Sequence, residues 1–229
     1  MFIPFGVEHS FSRVPFVTFA LLATIVLVAI LSGLPGEGSG PYAVDPSDFH
    51  LYQLVTSAFL HGGFVHLLGN LLFLWVFGRY VEDRLGPARF AAVYFAATVF
   101  SGLAQLAFGG DRPSIGASGG VAGLMGYVLV AAPWLEVHCA LMFGTYVSKG
   151  FDLAAGWLLV PWLLFQLVEA SLGSFSDIAA WAHIGGFLFG AGAAAIMRSR
   201  RCKGTGWYID PSPPQGGKAA VERLRRARG

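Results

Sequence analysis

One serine and one distant histidine in this chain could act together as nucleophile and base. Ser118 lies in the run Ile115-Gly-Ala-Ser-Gly-Gly120, directly before an apolar stretch. Flanking glycines allow a tight turn and leave the first amide N–H groups of the following helix free. Those groups and the helix dipole would stabilise a developing oxyanion. A serine nucleophile needs a base within hydrogen-bonding distance, and His183 is the candidate.

The composition predicts the environment in which these residues would work. Hydrophobic residues make up 55% of the 229 positions and charged residues 12%, with a mean hydropathy of +0.62. Soluble domains average about 25% charged residues, so this chain has too few charged residues to form a water-exposed protein surface. We therefore expect an all-α membrane protein solvated by a lipid bilayer, with no nucleic-acid partner.

Six stretches are apolar enough to cross a bilayer, which takes about 20 residues of helix. The predicted spans are residues 14–34, 54–77, 90–108, 116–134, 153–172 and 178–197. The stretch 136–152 is also apolar, but His138, Gly144, Lys149 and Gly150 interrupt it. We expect an interfacial hairpin or a short helix there, so the sequence predicts a bundle of six transmembrane helices.

The placement of lysine and arginine predicts the orientation, because cytoplasmic loops carry most of the basic residues. With both termini in the cytoplasm, 14 of the 15 basic residues lie on the cytoplasmic side and only Arg112 lies outside. The chain then divides into a cytoplasmic N-terminus (1–13), a six-span core (14–197) and a basic, flexible cytoplasmic tail (198–229). The expected location is a bacterial-type inner membrane.

In this orientation the polar residues of three spans lie at one depth. The second span carries His61, His66 and Asn70, while Ser118 and His183 lie early in the fourth and sixth spans. Polar groups inside a span are costly and mark functional sites, although a lone serine often bonds to its own helix backbone. Because these three spans all run inward, we expect one site in the outer half of the membrane, opening to the outer side.

Small residues would let the fourth and sixth spans approach each other closely. Gly119 and Gly123 form one G-x-x-x-G pair, and Gly186 and Gly190 form another. Such faces allow two helices to pack backbone to backbone. We expect this packing to set the distance between the serine and the histidine.

The sequence favours a catalytic dyad over a triad. In a triad a carboxylate orients the histidine, and Asp177 is the only acidic residue near His183. It lies about one and a half helical turns upstream, at the predicted membrane edge. Cys139 and Cys202 are far apart and predict free thiols rather than a disulfide or a metal site.

Four motifs together resemble those of the rhomboid family of intramembrane serine proteases. They are H-G-G-F-V-H-L-L-G-N (61–70), G-R-Y-V-E-D-R-L-G (78–86), G-A-S-G (116–119) and A-H-I-G-G-F-L-F-G (182–190). Their order and spacing also fit, and they lie within the predicted six-span core. The resemblance implies a serine endopeptidase that cleaves transmembrane or juxtamembrane segments of membrane proteins, with no metal or cofactor.

The resemblance also implies roles for single residues. Ser118 would be the nucleophile and His183 the base, with His66 and Asn70 as oxyanion partners beside the Ser118 N–H. We expect a supporting role for a further set of neighbouring residues: Gly116, Gly119, Gly186, Gly190 and His61.

Two further expectations concern positions outside the dyad. Rhomboid proteases often carry an aromatic residue four positions after the serine, where it stacks on the catalytic histidine, but this chain has Ala122. We therefore expect either another ring, from Trp181 or Phe187, to hold that histidine or a looser orientation of its imidazole. The resemblance also implies that Glu82 and Arg84 brace the loop after the second span.

Two other functions fit parts of the sequence. A non-proteolytic rhomboid-like protein that binds transmembrane clients would share the fold, but such relatives generally lack the serine or the histidine, and this chain has both. A small transporter could use His61, His66 and His183 as a proton relay. Reaction of Ser118 with a fluorophosphonate would separate a serine protease from both alternatives.

Overall fold

The computed structural model describes residues 2–32, 40–143, 146–147, 149–172 and 179–202. Asp177 and most of the predicted tail lie outside these ranges. The helices are α1 (Phe16–Ser32), α2 (Gln53–Thr56), α3 (Phe64–Phe73), α4 (Arg79–Leu85), α5 (Pro87–Phe108), α6 (Ser118–Ala131), α7 (Ala155–Leu172) and α8 (Ala180–Cys202). The strands are β1 (Phe2–Val7), β2 (Glu136–Phe143), β3 (Tyr146–Val147) and β4 (Phe151–Ala154).

Apolar helices occupy the stretches that the sequence predicts as spans. Among the described residues, four helical segments are long and apolar enough to cross a membrane: Phe64–Leu85, Pro87–Phe108, Ala155–Leu172 and Ala180–Arg198. The other two predicted spans correspond to α1 and α6, which are shorter apolar helices of 17 and 14 residues. The described chain is therefore mostly helical, while the full count of six membrane crossings stays a prediction.

The second apolar helix begins later than the sequence predicts. We expected a span over 54–77, but residues 53–59 form two short helical turns and the long helix runs from Phe64 to Leu85. Gly63, at φ 162° and ψ 169°, is extended and ends any helix that precedes it. His61 therefore precedes this helix. A π-helical turn over Leu74–Gly78 joins α3 to α4.

A carboxylate near the end of this long helix holds the start of α1. Glu82 is 2% exposed and accepts hydrogen bonds from the Val17 N–H at 2.9 Å and from the N–H and hydroxyl of Thr18, both at 2.7 Å. These amides lie in the first turn of α1, where no intrahelical acceptor is available. Asp83 binds the segment just before α1 in the same way. Glu82 thus braces α1 rather than the loop after the second span.

A small antiparallel sheet combines β1, which precedes α1, with three strands between α6 and α7, so the chain is mostly helical rather than all-α. β2 pairs with β1 along one edge and with β4 along the other, while β3 folds back on its end. The expected hairpin over 136–152 is therefore present. β1 escaped prediction because a six-residue strand is stable only when paired with partners from elsewhere in the chain.

Helix α6 forms the centre of the bundle. Every residue from Gly119 to Val128 is buried. α5 and α8 both approach its backbone at glycines: a Cβ added to Gly120 would lie 2.6 Å from the Thr98 hydroxyl, and one added to Gly126 would overlap the Phe187 carbonyl oxygen. The nucleophile candidate at the start of α6 is thus carried by the most enclosed helix of the fold.

Candidate active site

Helices α6 and α8 run parallel with their backbones in contact. A Cβ added to Gly186 would overlap the carbonyl oxygen of Gly119, and one added to Gly190 would overlap the carbonyl oxygen of Gly123. The contact therefore repeats after four residues on both helices, which is one helical turn. These are the two G-x-x-x-G pairs of the sequence, and only glycine fits at the close approach.

This register brings the helix starts that carry Ser118 and His183 together, with an offset of two residues, or about 3 Å, along the helix axes. A Cβ at Gly119 would lie 3.9 Å from the carbonyl oxygen of Ala182. Ser118 directly precedes Gly119 at the first position of α6, and His183 directly follows Ala182 in the first turn of α8. Both side chains are half-buried. The serine and the histidine thus lie at adjoining helix starts and are not enclosed on all sides.

Two hydrogen bonds fix the backbone that leads into α6. The Gly116 N–H donates to the carbonyl oxygen of Ser57 at 2.9 Å, and the Ala117 N–H donates to His61 Nε2 at 3.5 Å. His61 is 1% exposed, so this bond lies in the interior. His61 therefore supports the nucleophile's backbone from the segment before α3. Ser57 makes a backbone contact that no pattern in the sequence indicated.

Gly116 leaves open a space that Ser118 shares with His66. Its φ of +121° lies in a region that residues with a Cβ rarely adopt. A Cβ at this position would lie 2.8 Å from both Cε1 and Nε2 of His66 and 3.6 Å from the Ser118 hydroxyl oxygen. The imidazole edge and the hydroxyl therefore border the same space, and any larger residue would fill it.

The hydrogen bonds of His66 and Asn70 show which of their N–H groups are available. The Gly62 N–H donates to His66 Nδ1 at 3.4 Å, so a neutral imidazole carries its proton on Nε2, the atom beside Gly116. Asn70 lies one turn later on α3 and is 6% exposed. Its Nδ2 donates to the His66 carbonyl oxygen at 3.0 Å and has a second N–H to donate.

Two side chains of α7 hold His183 in place. The sequence did not predict this support. Its Nδ1 lies 2.9 Å from Gln166 Oε1, and its ring centroid lies 5.8 Å from that of Trp162. Trp181 instead packs on a phenylalanine of α5, because two residues along a helix turn it to the opposite side from His183. Phe187 stacks on Trp162 at 5.9 Å. The expected support from Trp181 is therefore wrong, while Phe187 packs on the same tryptophan as the histidine.

Hydroxyl groups surround a small cavity beside the serine. Besides Ser118, its lining includes Ser57, Thr98, Ser101 and Ser114. These four residues come from three separate parts of the chain and meet beside the start of α6. Polar cavities with several hydrogen-bonding partners are the kind that hold water. The site thus combines a serine, a histidine and a polar space in an otherwise apolar bundle.

Comparisons with known proteins identify the family. The rhomboid domain model matches residues 48–200. Rhomboid protease GlpG of Klebsiella pneumoniae is 32% identical over 201 residues, which cover 84% of this chain and 67% of that protein. Rhomboid protease GlpG of Salmonella choleraesuis is 31% identical over 186 residues, covering 79% of this chain and 62% of that protein. The chain spans about two thirds of the length of these relatives. It belongs to the rhomboid family.

Proposed function

We propose that this chain is an intramembrane serine endopeptidase that cleaves transmembrane or juxtamembrane segments of membrane proteins. Ser118 is the nucleophile and His183 the general base. The observation that carries the proposal is the parallel backbone contact of α6 and α8, because it brings together the two helix starts on which these residues lie. The relatives named rhomboid protease support the same activity.

The first chemical step forms an acyl-enzyme. The Ser118 hydroxyl oxygen bonds to the scissile carbonyl carbon while His183 takes the hydroxyl proton. The carbonyl π electrons move onto the oxygen and give a tetrahedral oxyanion. The intermediate then collapses, the C–N bond breaks, and His183 returns its proton to the leaving amine. The half-buried position of both side chains supports this role, because substrate can reach them.

Donors around Ser118 stabilise the oxyanion. The Ser118 N–H lies at the start of α6, where the helix leaves amides without intrahelical acceptors. The His66 Nε2–H and the second Asn70 Nδ2–H complete the set. The shared space at Gly116 supports His66 in this role, since a Cβ there would contact both the imidazole and the hydroxyl. Hydrogen-bond donors that are already in place stabilise the developing negative charge more than mobile water molecules do.

Water completes the reaction by hydrolysing the acyl-enzyme. His183 removes a proton from the water molecule, whose oxygen bonds to the acyl carbon, and Ser118 leaves with the returned proton. The hydroxyl-lined cavity beside Ser118 supports a local supply of water. A protease working within lipid needs such a supply because the hydrocarbon core contains none.

The same proposal includes the placement in the membrane. The six apolar helices each cross the bilayer, both termini lie in the cytoplasm, and the site opens to the outer side of a bacterial-type inner membrane. The asymmetric distribution of lysine and arginine supports this orientation. Substrate enters sideways past α7, of whose 18 residues only Ala155, Leu159, Gln166 and Glu169 are buried.

Cleavage of a reconstituted single-span reporter tests the proposal. Ser118→Ala and His183→Ala should each abolish cleavage while the protein stays folded. Matched controls are Ser171→Ala, an exposed serine of α7, and His138→Ala, a histidine of the sheet. Both controls should cleave as the wild type does. Cleavage near the wild-type rate in either dyad variant would overturn the assignment.

A further inference from the structure

We propose that Gln166 is a positioning residue that fixes the tautomer and orientation of His183, so that the catalytic base is ready only when α7 is seated against α8. This inference rests on the proposed function of His183 as general base. It adds to the dyad a third residue, which orients the histidine without touching substrate.

The hydrogen bond between the two side chains determines where the imidazole proton lies. Gln166 Oε1 is an amide oxygen, which can only accept, and it lies 2.9 Å from His183 Nδ1. Nδ1 must therefore carry the proton. A neutral imidazole has one N–H, so Nε2 presents a lone pair. A base that accepts the Ser118 proton needs this tautomer, as in triads where a carboxylate holds the histidine.

The burial of Gln166 indicates that this contact is specific. Gln166 is 2% exposed, although its sequence neighbours Phe165 and Leu167 are 49% and 42% exposed. Burying an amide without a partner is unfavourable, and a polar residue in an apolar span is costly. The bond to His183 supplies the partner. The hydrogen bond to His183 thus explains why a glutamine lies on the face of α7 that packs against α8.

Trp162 supports the same histidine from the same helix. It lies four residues before Gln166 and so shares its face of α7. Its ring is inclined by 39° to the His183 ring, with centroids 5.8 Å apart. Ala122 of α6 is completely buried and has no ring to contribute. Both side-chain contacts that orient His183 in the described structure therefore come from α7, which links the seating of this helix to the readiness of the base.

Three variants separate positioning from general stability. Gln166→Met keeps the length of the side chain and removes the acceptor, and Gln166→Glu keeps an acceptor. Leu167→Met alters the exposed neighbour. Loss of one neutral hydrogen bond should lower kcat about tenfold in Gln166→Met, with KM unchanged. Gln166→Glu should retain most of kcat, and Leu167→Met all of it. Wild-type kcat in Gln166→Met would overturn the inference, as would failure of Gln166→Glu to restore kcat.

The imidazole tautomer gives a readout that does not depend on proteolysis. In protein labelled with ¹⁵N-histidine, His183 should show a protonated Nδ1 and an unprotonated Nε2, with its signals assigned by their loss in His183→Ala. Gln166→Met should shift the population toward the other tautomer. A protonated Nε2 in the wild type, or no change in Gln166→Met, would overturn the inference. An inactive wild type with the expected tautomer would instead overturn only the proposed function.

Discussion

Substitution of Gly190 by alanine should separate the two helices that carry the dyad. The added Cβ would overlap the Gly123 carbonyl oxygen and lie 2.9 Å from the Gly123 Cα, whereas ordinary van der Waals contact begins at 3.4 Å. The obstacle is backbone, which cannot move aside as a side chain can. Because interiors are close-packed, α6 and α8 must separate by roughly 1 Å or more at this point.

Two opposing effects set the size of the change in stability. Overpacking of a tight contact lowers the free energy of unfolding by about 1–3 kcal/mol. Replacing glycine by alanine within a helix raises it by about 1 kcal/mol. The expected net loss is about 0–2 kcal/mol, which lowers the Tm by up to about 8 °C for a chain of this length. Activity should fall further, because a displacement of about 1 Å at reacting groups can cost about 100-fold in rate.

Thermal unfolding in detergent and reporter cleavage measure the two effects on the same preparation. Gly192→Ala is the matched control: it lies two residues along the same helix, and no atom lies within 4 Å of its added Cβ. It should keep wild-type cleavage and an equal or higher Tm. If Gly190→Ala cleaved the reporter as fast as Gly192→Ala, the claim that this contact positions the dyad would be refuted.

Three further predictions follow from single contacts. Gly116→Ala should lower kcat at least tenfold in reporter cleavage, because its Cβ would displace the His66 ring at 2.8 Å. Glu82→Gln should lower the free energy of unfolding by about 1–2 kcal/mol, through weaker bonds to the first turn of α1, with kcat unchanged. A hydrogen bond with Glu8 raises the pKa of Glu136 above its usual 4.5, so folding favours the protonated carboxyl. Wild-type Tm should therefore fall as pH rises through this raised pKa, and Glu136→Gln should lack that decrease.

The parts of the fold that the sequence predicted are those governed by local composition. The thickness of the bilayer requires long apolar helices, and the described helices lie within the predicted stretches to within several residues in five of the six cases. The glycine pairs at 119/123 and 186/190 predicted the backbone contact because only glycine permits such an approach. Ser118 lies one residue before Gly119 and His183 three residues before Gly186, so the two lie within one helical turn of each other along the helix axes.

The features that the sequence did not predict depend on partners far away in the chain. β1 is stable only against β2, and the support of His183 comes from a different helix, α7. A signal for that support was available: Gln166 is an amide in the middle of an apolar span, where polar groups need a reason. Gly63 was a similar signal, because a glycine often precedes the start of a helix. The helix begins after it, so His61 lies before the second span and not within it.

Covalent labelling of the serine tests the central claim most directly. The reconstituted wild-type chain is treated with a fluorophosphonate, and the modified residue is located by mass spectrometry. An active Ser118–His183 pair predicts one adduct at Ser118, which is lost in Ser118→Ala and forms far more slowly in His183→Ala because the base is missing. No adduct at Ser118, or labelling in His183→Ala at the wild-type rate, would contradict the assignment of this pair as a catalytic dyad.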